Sequence, residues 1–310
     1  MDNIKHYDII IIGSGPAGLT AAIYSARANL KTLVLAGDSF GGQLMTTTLV
    51  ENYPGFVKGV VGPELMTTMI KQAQNQGAEL IYKTATKVDF SDKEKKLVST
   101  AEADYTASAV VIATGSSPRT LDIPGEKEFW GKGVSTCATC DGAFYKDKTV
   151  AVVGGGDSAM EEAIFLTRFA KKVYVIHRRD EFRASKVMQD RLFENEKIKV
   201  IWNTEVKEIL GGSTVTELKI FNNRKNTISS LQVDGLFLAI GHIPNSQIFE
   251  GQVDSDERGY IMVTDHTHTS VEGVFVSGDV HDHHYQQAIT AAGMGSMAAI
   301  DAEKWLAAQK

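Results

Sequence analysis

The chain has 310 residues, of which 43% are apolar and 23% are charged, as is ordinary for a soluble globular protein. Its formal net charge of −6, without any basic run, argues against a nucleic-acid partner or an anionic membrane surface. No stretch approaches the roughly 18 apolar residues of a membrane span. The length predicts two domains.

The first recognisable elements form a nucleotide-binding pattern. Tyr7 to Ile12 is a short, apolar, β-branched run that ends at a glycine, and it predicts a buried parallel strand. We predict a helix from Leu19 to Asn29 and a second strand from Thr32 to Leu35. In a dinucleotide-binding unit, glycines between the first strand and the helix let a pyrophosphate approach the helix N-terminus. The residues in that place are Gly13, Ser14, Gly15, Pro16, Ala17 and Gly18.

The same pattern returns in the middle of the chain. We predict a strand from Thr149 to Val153, a helix from Met160 to Ala170 and a strand from Lys172 to Ile176. One such unit is weak evidence, but two complete units in one chain favour two nucleotide-binding domains. The second loop consists of Gly154, Gly155, Gly156, Asp157, Ser158 and Ala159.

Three further apolar strands end in glycine and mark the limits of each half. Prolines at 118 and 244 follow the first two of these strands, where a chain would change domain. We therefore predict an α/β fold of two Rossmann-like domains, with an inner domain (residues 118–245) inserted into an outer one (residues 1–117 and 246–310). A small-residue helix from Ala288 to Leu306 would close the outer domain. The strand ends are Ala113-Thr114-Gly115, Ile240-Gly241 and Ser277-Gly278-Asp279.

The residues after the second strand of each unit indicate which nucleotide each unit binds. His177, Arg178 and Arg179 follow the inner unit, with Arg183 one helical turn further, and arginines suit a 2′-phosphate. This predicts NADPH in the inner domain. The first unit has no arginine at that place, so FAD is the better candidate there, with Asp279 accepting from flavin ribityl hydroxyls.

The only two cysteines, Cys137 and Cys140, form a C-x-x-C pair a dozen residues before the second loop. Such a dithiol can close into a disulfide and reopen, so it stores the two electrons that a hydride carrier moves. A zinc site would need two more ligands, and no second C-x-x-C pair exists. Two cysteines without an export signal favour a cytoplasmic protein. Asp141, next in sequence, is the candidate general acid–base.

With these motifs, the chain resembles the low-molecular-weight thioredoxin reductases over essentially its whole length. The resemblance implies a homodimeric FAD enzyme that uses NADPH to reduce the disulfide of thioredoxin. It also implies that Cys140 faces the flavin and that Cys137 attacks the thioredoxin disulfide. Other stretches that carry the resemblance are Gly41-Gly42-Gln43-Leu44, Glu51-Asn52-Tyr53-Pro54-Gly55, Cys137-Ala138-Thr139-Cys140-Asp141-Gly142 and Gly278-Asp279-Val280.

The resemblance also assigns binding residues. For FAD it implies the first glycine loop, the loop from Ala36 and Gly37 to Gly41, Gly42, Gln43 and Leu44, then Asn52, Ala113, Thr114, Gly115, Gly278, and Asp279 to Gln286, Gln287 and Ala288. For NADPH it implies Gly154, Gly156, Asp157, Ser158, Ala159, His177, Arg178, Arg179, Arg183, Ile240 and Gly241. One departure is visible, because the family often has Tyr-Arg-Gln where this chain has Tyr285-Gln286-Gln287. A neutral amide thus replaces a cation near the flavin.

The predicted placement of the dithiol requires motion. The pair belongs to the inner domain, yet it must meet the flavin of the outer domain and also a macromolecular disulfide. We therefore expect the inner domain to rotate about hinges near Ser117–Pro118 and Pro244–Asn245 between half-reactions.

Two alternatives remain open on the sequence. The chain could be a flavoprotein reductase of another disulfide protein or of a peroxidase partner. It could instead be a nucleotide-binding redox sensor without turnover. Reduction of added thioredoxin by NADPH distinguishes the enzyme from the sensor.

Overall fold

A computed structural model describes residues 4–309, so residues 1–3 and 310 of the predicted domain ranges lie outside the described part. The chain divides into two compact units: unit 1 comprises Met1–Ser117 and Ile243–Lys310, and unit 2 comprises Pro118–His242. Unit 2 is thus inserted into unit 1. The main sheet of unit 1 is mixed, with parallel pairs around β1 and antiparallel pairs between β6, β7 and β8, and that of unit 2 is parallel. The predicted α/β fold of two Rossmann-like units is confirmed.

The strands, in chain order, are β1 (Lys5–Ile12), β2 (Thr32–Leu35), β3 (Leu49–Val50), β4 (Val60–Val61), β5 (Glu79–Ile81), β6 (Ala85–Asp89), β7 (Lys96–Thr100), β8 (Asp104–Ile112), β9 (Ser116–Pro118), β10 (Val134–Ser135), β11 (Thr149–Gly154), β12 (Lys172–Ile176), β13 (Ile198–Ile201), β14 (Thr204–Gly211), β15 (Val215–Asn222), β16 (Thr227–Gln232), β17 (Gly235–Ala239), β18 (His242–Pro244) and β19 (Val274–Val276). The α-helices are α1 (Pro16–Arg27), α2 (Gly62–Asn75), α3 (Ala138–Asp141), α4 (Asp157–Leu166), α5 (Lys186–Phe193) and α6 (Ala288–Ala308). Short 3₁₀ turns occupy Gly42–Thr46, Gly142–Tyr145 and Gln247–Phe249. Within residues 4–309, no helix combines the length and apolarity that crossing a membrane requires.

The core of unit 1 is a seven-stranded sheet in the order β5-β2-β1-β8-β7-β6, with β19 also paired to β8. β1 pairs in parallel with β2 and β8, because its last four residues are isoleucines buried on both faces. Helices α1, α2 and α6 cover one face, and α1 packs closely along α6. The close packing depends on Gly295, where a Cβ atom would lie 2.1 Å from the carbonyl oxygen of Ala17.

Unit 2 has a five-stranded parallel sheet in the order β10-β17-β11-β12-β13 and a separate antiparallel sheet of β14, β15 and β16. Helix α4 packs on one face of the parallel sheet, against Val173 and Val175 of β12. The opposite face packs against the antiparallel sheet through Ala151 and Ile176. Apolar side chains on both faces explain why β11, β12 and β17 have continuous apolar sequences.

Two segments join the units, β9 and β18, and they pair as a two-stranded ribbon. The second boundary lies at Ile243 rather than at the predicted residue 246. The reason is that Asn245 is bonded to unit 1: its backbone N–H donates to Gly115 O at 3.0 Å, and its Nδ2 donates to Thr114 O at 2.9 Å. Asn245 therefore belongs to the outer unit.

The predicted helix limits also need correction. The first helix begins at Pro16 rather than Leu19, since proline is favourable in a first helical turn, and it ends before Asn29, which has a φ of 61°. The helix of the second unit begins at Asp157 rather than Met160 and ends at Leu166 rather than Ala170. There the Thr167 hydroxyl donates to Ile164 O at 2.6 Å and replaces a helical bond.

Candidate active site

The two cysteines form a disulfide at the start of α3 in unit 2. Their Cα atoms are 5.3 Å apart, because one turn of helix brings residues three apart to that distance. The backbone N–H of Cys140 donates to Cys137 Sγ at 3.2 Å, so the sulfur of Cys137 caps the turn. Cys137 is half-buried and Cys140 is exposed. A donor on Cys137 Sγ favours a thiolate there once the disulfide is reduced.

Asp141 ends this turn and is partly buried. Burial raises the pKa of its carboxyl, and a hydrogen bond from the Ser135 side chain opposes the shift. Ser135 also holds the dithiol, because its hydroxyl oxygen accepts the backbone N–H of Cys137 at 3.0 Å. Ser135 is not among the site residues predicted from the sequence, although a serine two residues before a turn is a known local signal.

The second glycine loop joins β11 to α4, as a phosphate-binding turn requires. A Cβ atom on Gly156 would meet nothing within 4 Å, so this side of the loop opens into free space. Ser158 is exposed in the first turn of α4, whereas Ala159 is buried against Gly154. The Asp157 carboxylate accepts from the backbone N–H and the hydroxyl of Ser185, at 3.0 and 2.7 Å. Asp157 therefore connects the glycine loop to the segment that leads into α5.

The three predicted arginines of unit 2 follow segments that contact this loop. Arg178, Arg179 and Arg183 are all exposed, and the backbone N–H of Arg183 donates to Gly155 O at 2.8 Å. The buried His177 ring contacts Gly154 O through Nδ1 at 2.9 Å, and burial lowers its pKa. A neutral imidazole is therefore favoured behind the loop, while the guanidinium groups remain in solvent.

The Ile240-Gly241 turn at the end of β17 belongs to the same edge of the sheet, since β17 pairs with β11 and Val153 lies opposite Leu238. Gly241 has a φ of 93°, which favours glycine, and the Arg119 side chain runs beside it. Carboxyl ends of neighbouring parallel strands bind nucleotides in folds of this kind. The structure thus brings the predicted inner-domain residues to one sheet edge.

The first glycine loop has a similar construction in unit 1. Gly13 has a φ of 116°, and a Cβ atom there would lie 2.2 Å from Ala113 O. Gly15 differs, because a Cβ atom would meet nothing within 4 Å. Ser14 ties the surrounding segments together: its hydroxyl donates to Ala36 O at 2.7 Å and accepts the backbone N–H of Gly41 at 2.9 Å. The sequence alone predicts Ser14 only as a residue of the glycine loop.

Other predicted residues of unit 1 gather around this loop. A Cβ atom on Gly42 would lie 3.3 Å from Gly15 Cα, and one on Gly278 would lie 2.9 Å from Ala17 Cβ. Asn52 Nδ2 donates to Gln287 Oε1 at 3.3 Å. Among the remaining predicted residues, the Gln43 side chain donates to Ser116 O and the Thr114 hydroxyl donates to Asn245 O. Gly37 and Gly115 have positive φ, and Leu44 packs against the core. Pro16 and Gly18 lie in the first turn of α1, and Ala288 is the first residue of α6.

Two polar groups of unit 1 fit a polyhydroxylated ligand. Burial, with a smaller contribution from Asp282, raises the pKa of Asp279 to about 7. Gln286 has a φ of 49°, and its buried Nε2 has no hydrogen-bond partner within residues 4–309. Asp282 is not singled out among the site residues predicted from the sequence. Its carboxylate holds this segment by accepting hydrogen bonds from the backbone N–H groups of His284, Tyr285 and Gln286. The Asp279 carboxyl can accept hydrogen bonds and the Gln286 amide can donate one, and the space beside Gly15 is open. These features fit the hydroxyl and phosphate groups of a dinucleotide.

The histidines of unit 1 do not form a metal centre in the described part of the chain. No group of three or more His, Cys, Asp or Glu side chains is placed there to hold a metal ion. His281 Nδ1 contacts Ile261 O at 2.9 Å, and the His283 ring packs on Tyr260.

Comparison with known proteins gives consistent results. The pattern of the pyridine nucleotide-disulphide oxidoreductase family matches residues 7–295. The chain is 54% identical over 304 residues to the thioredoxin reductase of Mycolicibacterium smegmatis, covering 98% of this chain and 97% of the relative. It is 52% identical over 302 residues to that of Rickettsia conorii, covering 96% and 97%. Among solved structures, thioredoxin reductase from Giardia duodenalis superposes with a TM-score of 0.93 at 46% identity, covering 98% and 99%. The enzyme from Streptococcus pyogenes superposes with a TM-score of 0.94 at 42% identity, covering 99% and 100%.

Proposed function

Because this chain belongs to the pyridine nucleotide-disulphide oxidoreductase family and, within it, to the thioredoxin reductases, we propose that it reduces the disulfide of a thioredoxin with electrons from NADPH. Family membership makes it a flavoprotein oxidoreductase that uses a pyridine nucleotide. The observation that carries the proposal is the Cys137–Cys140 disulfide, which lies in the same unit as the second glycine loop.

FAD is assigned to unit 1. The open space beside Gly15 would admit the pyrophosphate at the N-terminus of α1. Asp279 would accept hydrogen bonds from ribityl hydroxyls, and the Gln286 amide would donate one. The segment Ala36–Gly37 offers no cation to a 2′-phosphate, which favours FAD over a second NADPH.

NADPH is assigned to unit 2. The pyrophosphate would lie beside Gly156 and Ser158, where the loop opens into free space. The exposed guanidinium groups of Arg178, Arg179 and Arg183 would bind the 2′-phosphate. Three cations beside one loop support NADPH over NADH.

When both nucleotides are bound, the nicotinamide supplies a hydride to the flavin, which in turn supplies two electrons to the disulfide. Those electrons break the Cys137–Cys140 bond. Cys137, whose sulfur accepts the N–H of Cys140, then attacks the thioredoxin disulfide and forms a mixed disulfide. Attack by Cys140 on that bond restores the internal disulfide and releases a thioredoxin dithiol.

Asp141 would hold the proton that this exchange requires. Burial raises the pKa of its carboxyl, so Asp141 keeps its proton to a higher pH than an exposed aspartate does. It adjoins Cys140 and can deliver that proton to a sulfur on reduction.

The wider setting is also proposed. The inner unit would rotate against the outer one between half-reactions. A homodimer is supported by exposed apolar side chains on α1 and α6, including Tyr24, Met297 and Ile300. We place the protein in the cytoplasm, because a reducing compartment keeps a cycling dithiol reducible.

The test is a coupled assay with thioredoxin and each nicotinamide nucleotide, preceded by anaerobic titration with NADPH. Bleaching of the flavin followed by reduction of thioredoxin supports the proposal. Bleaching without reduction of thioredoxin would instead favour one of the two alternatives, a redox sensor without turnover or a reductase of a different disulfide protein. Cys140→Ser should remain reducible by NADPH at the flavin yet fail to turn over thioredoxin. If that variant still reduced thioredoxin catalytically, the assigned dithiol would be wrong.

A further inference from the structure

One partly buried acid near the dithiol has no part in the mechanism above. Glu162 lies on α4, the helix that follows the second glycine loop, and α4 packs against the dithiol turn α3. Its carboxyl interacts with the backbone N–H of Ala138, the residue that follows Cys137. Its Oε2 atom is buried and has no hydrogen-bond partner within residues 4–309.

The surroundings of Glu162 raise the pKa of its carboxyl to near neutrality, so that a small change nearby can alter its protonation. Burial raises its pKa to about 7, the Ala138 N–H opposes this shift, and the negative charge of Glu161 adds to it. The other charged groups on elements that pack against α4 do not compensate. On β12, Val173 and Val175 face α4. Lys172 lies on the opposite face of that strand, with its amine over the Tyr174 ring, and so points away from α4. On α5, the groups Lys186, Asp190 and Arg191 are exposed, and from α3 comes only the acid Asp141.

The Glu162 carboxyl and the Cys137 sulfur both accept hydrogen bonds from backbone N–H groups of the dithiol turn α3. The first N–H groups of a helical turn have no partner within the turn. Here Cys137 Sγ accepts the N–H of Cys140, and Glu162 contacts the N–H of Ala138 between them. Two anions on one short turn repel each other, so ionisation of either group raises the proton affinity of the other.

We propose that Glu162 binds a proton when the Cys137–Cys140 disulfide is reduced and releases it when the disulfide forms again. This rests on the proposed function, in which the dithiol cycles. Two electrons break the S–S bond, one proton binds to one sulfur, and the other sulfur remains a thiolate. The Glu162 carboxylate takes a second proton from solvent, which offsets that negative charge. Oxidation of the dithiol by a thioredoxin disulfide removes the charge, and Glu162 loses its proton.

The first measurement isolates the Cys137 thiol. Because the chain has only two cysteines, Cys140→Ser leaves one thiol, and its rate of alkylation by iodoacetamide against pH gives its pKa. Adding Glu162→Gln should lower that pKa by about one unit or more, since a neutral amide no longer opposes the thiolate. Glu161→Gln is the matched control, because it removes the same charge from an exposed neighbour. Equal pKa values in both double variants would overturn the proposal.

The second measurement needs no substitution. Infrared difference spectra of the protein with ¹³C-labelled glutamate, reduced by dithiothreitol at pH 7.5, should gain a protonated glutamic acid band. Glu162→Gln should lack that band while its far-ultraviolet circular dichroism stays native. No gain in the unsubstituted protein overturns the proposal even if the variant fails to fold. Both measurements avoid NADPH and thioredoxin, so failure of the proposed function would show in the coupled assay instead.

Discussion

Two carboxyls with raised pKa, Asp141 and Glu162, flank the turn that carries the disulfide. Both shifts come mainly from burial, which disfavours the charged form. A dithiol in such a place gains thiolate character from the N–H of Cys140 and loses it to each carboxylate that ionises. The reactivity of Cys137 therefore depends on protons held by neighbouring side chains as much as on its own sulfur.

The arginines of unit 2 give a prediction about nucleotide choice. Replacing Arg178 and Arg179 together by alanine should lower kcat/KM for NADPH about 100-fold, because each guanidinium contributes charge-assisted bonds to the 2′-phosphate. The value for NADH should change only a few-fold. Steady-state kinetics with both nucleotides check this, with Arg191→Ala, an exposed arginine on α5, as the control. An equal loss for NADH would show that these arginines do not select the phosphate.

Asp279 gives a prediction about flavin binding and pH. Its pKa of about 7 means that the flavin-free protein holds a proton there at lower pH. The carboxylate accepts charge-assisted hydrogen bonds at both oxygens, whereas the protonated acid must donate at one of them. Flavin affinity should therefore fall as the pH drops below 7, by up to about tenfold per unit for one proton. Asp279→Asn should bind more weakly at pH 8 and lose this pH dependence.

Fluorescence titration of the flavin-free protein measures the effect. Asp254→Asn, which removes an exposed carboxyl of the same unit, should keep the full pH dependence. A flat profile in the unsubstituted protein would mean that Asp279 does not contact the flavin as a carboxylate.

At the scale of elements, substitutions at two glycines of unit 1 should affect different properties: Gly295 the stability of the fold, and Gly15 the binding of flavin. A Cβ atom on Gly295 would lie 2.1 Å from Ala17 O, so Gly295→Ala must push α6 from α1 and should destabilise the protein by about 3 kcal/mol. Gly15→Ala meets open space and should change stability by less than about 1 kcal/mol. It should still weaken flavin binding about tenfold or more, because its methyl group enters the space assigned to the pyrophosphate.

Urea denaturation of the flavin-free variants and flavin titration check both halves of this prediction. The two substitutions add the same methyl group to α1 or its partner helix, so each serves as the control for the other. If Gly15→Ala kept full flavin affinity, the pyrophosphate would have to lie elsewhere.

Sequence patterns predict these elements unevenly. Strands β2 and β12 occur where they are predicted, at Thr32–Leu35 and Lys172–Ile176, because each is a short, mainly apolar run that begins after a lysine. The predicted helix starts are three residues late in both units. The first helical turns begin at Pro16 and Asp157, within the glycine loops, where the sequence looks like a loop and not like a helix. The antiparallel sheet β14-β15-β16 was not predicted, because β16 is almost wholly exposed and lacks an apolar alternation.

The candidate site shows the same division. Glycine loops and the C-x-x-C pair are local signals, so the sequence alone leads to them, although their binding roles stay predictions. Asp282 and Glu162 carry no motif of their own. Their importance comes from what they contact: Asp282 holds three successive backbone N–H groups, and Glu162 reaches a turn more than twenty residues earlier in the chain. Such contacts depend on tertiary packing.

At the scale of the whole molecule, the connectivity places the dithiol and the assigned flavin in different units. Only two segments join the units, and they pair as the ribbon of β9 and β18. On one side of the ribbon Asn245 is bonded to Gly115, and on the other the N–H of Arg119 donates to Gly241 O at 2.9 Å. A change of backbone angles between these two anchors would turn unit 2 as a body, which is how hinge motions arise.

Rotation of unit 2 predicts that joining the units covalently stops turnover. A short lysine crosslinker that contains a periodate-cleavable diol leaves the disulfide chemistry untouched. Species with crosslinks between the units, identified by mass spectrometry, should lose multiple-turnover reduction of thioredoxin, because one pose cannot serve both flavin reduction and thioredoxin reduction. Cleavage of the diol should restore the rate.

Species crosslinked only within one unit are the control, and they should keep their activity, since their lysines carry the same modification without joining the units. Stopped-flow measurement of flavin reduction separates the steps: a pinned protein should complete at most one half-reaction at the normal rate. Full multiple turnover in a protein with joined units would disprove rotation and would require electrons to pass from flavin to thioredoxin in a single arrangement.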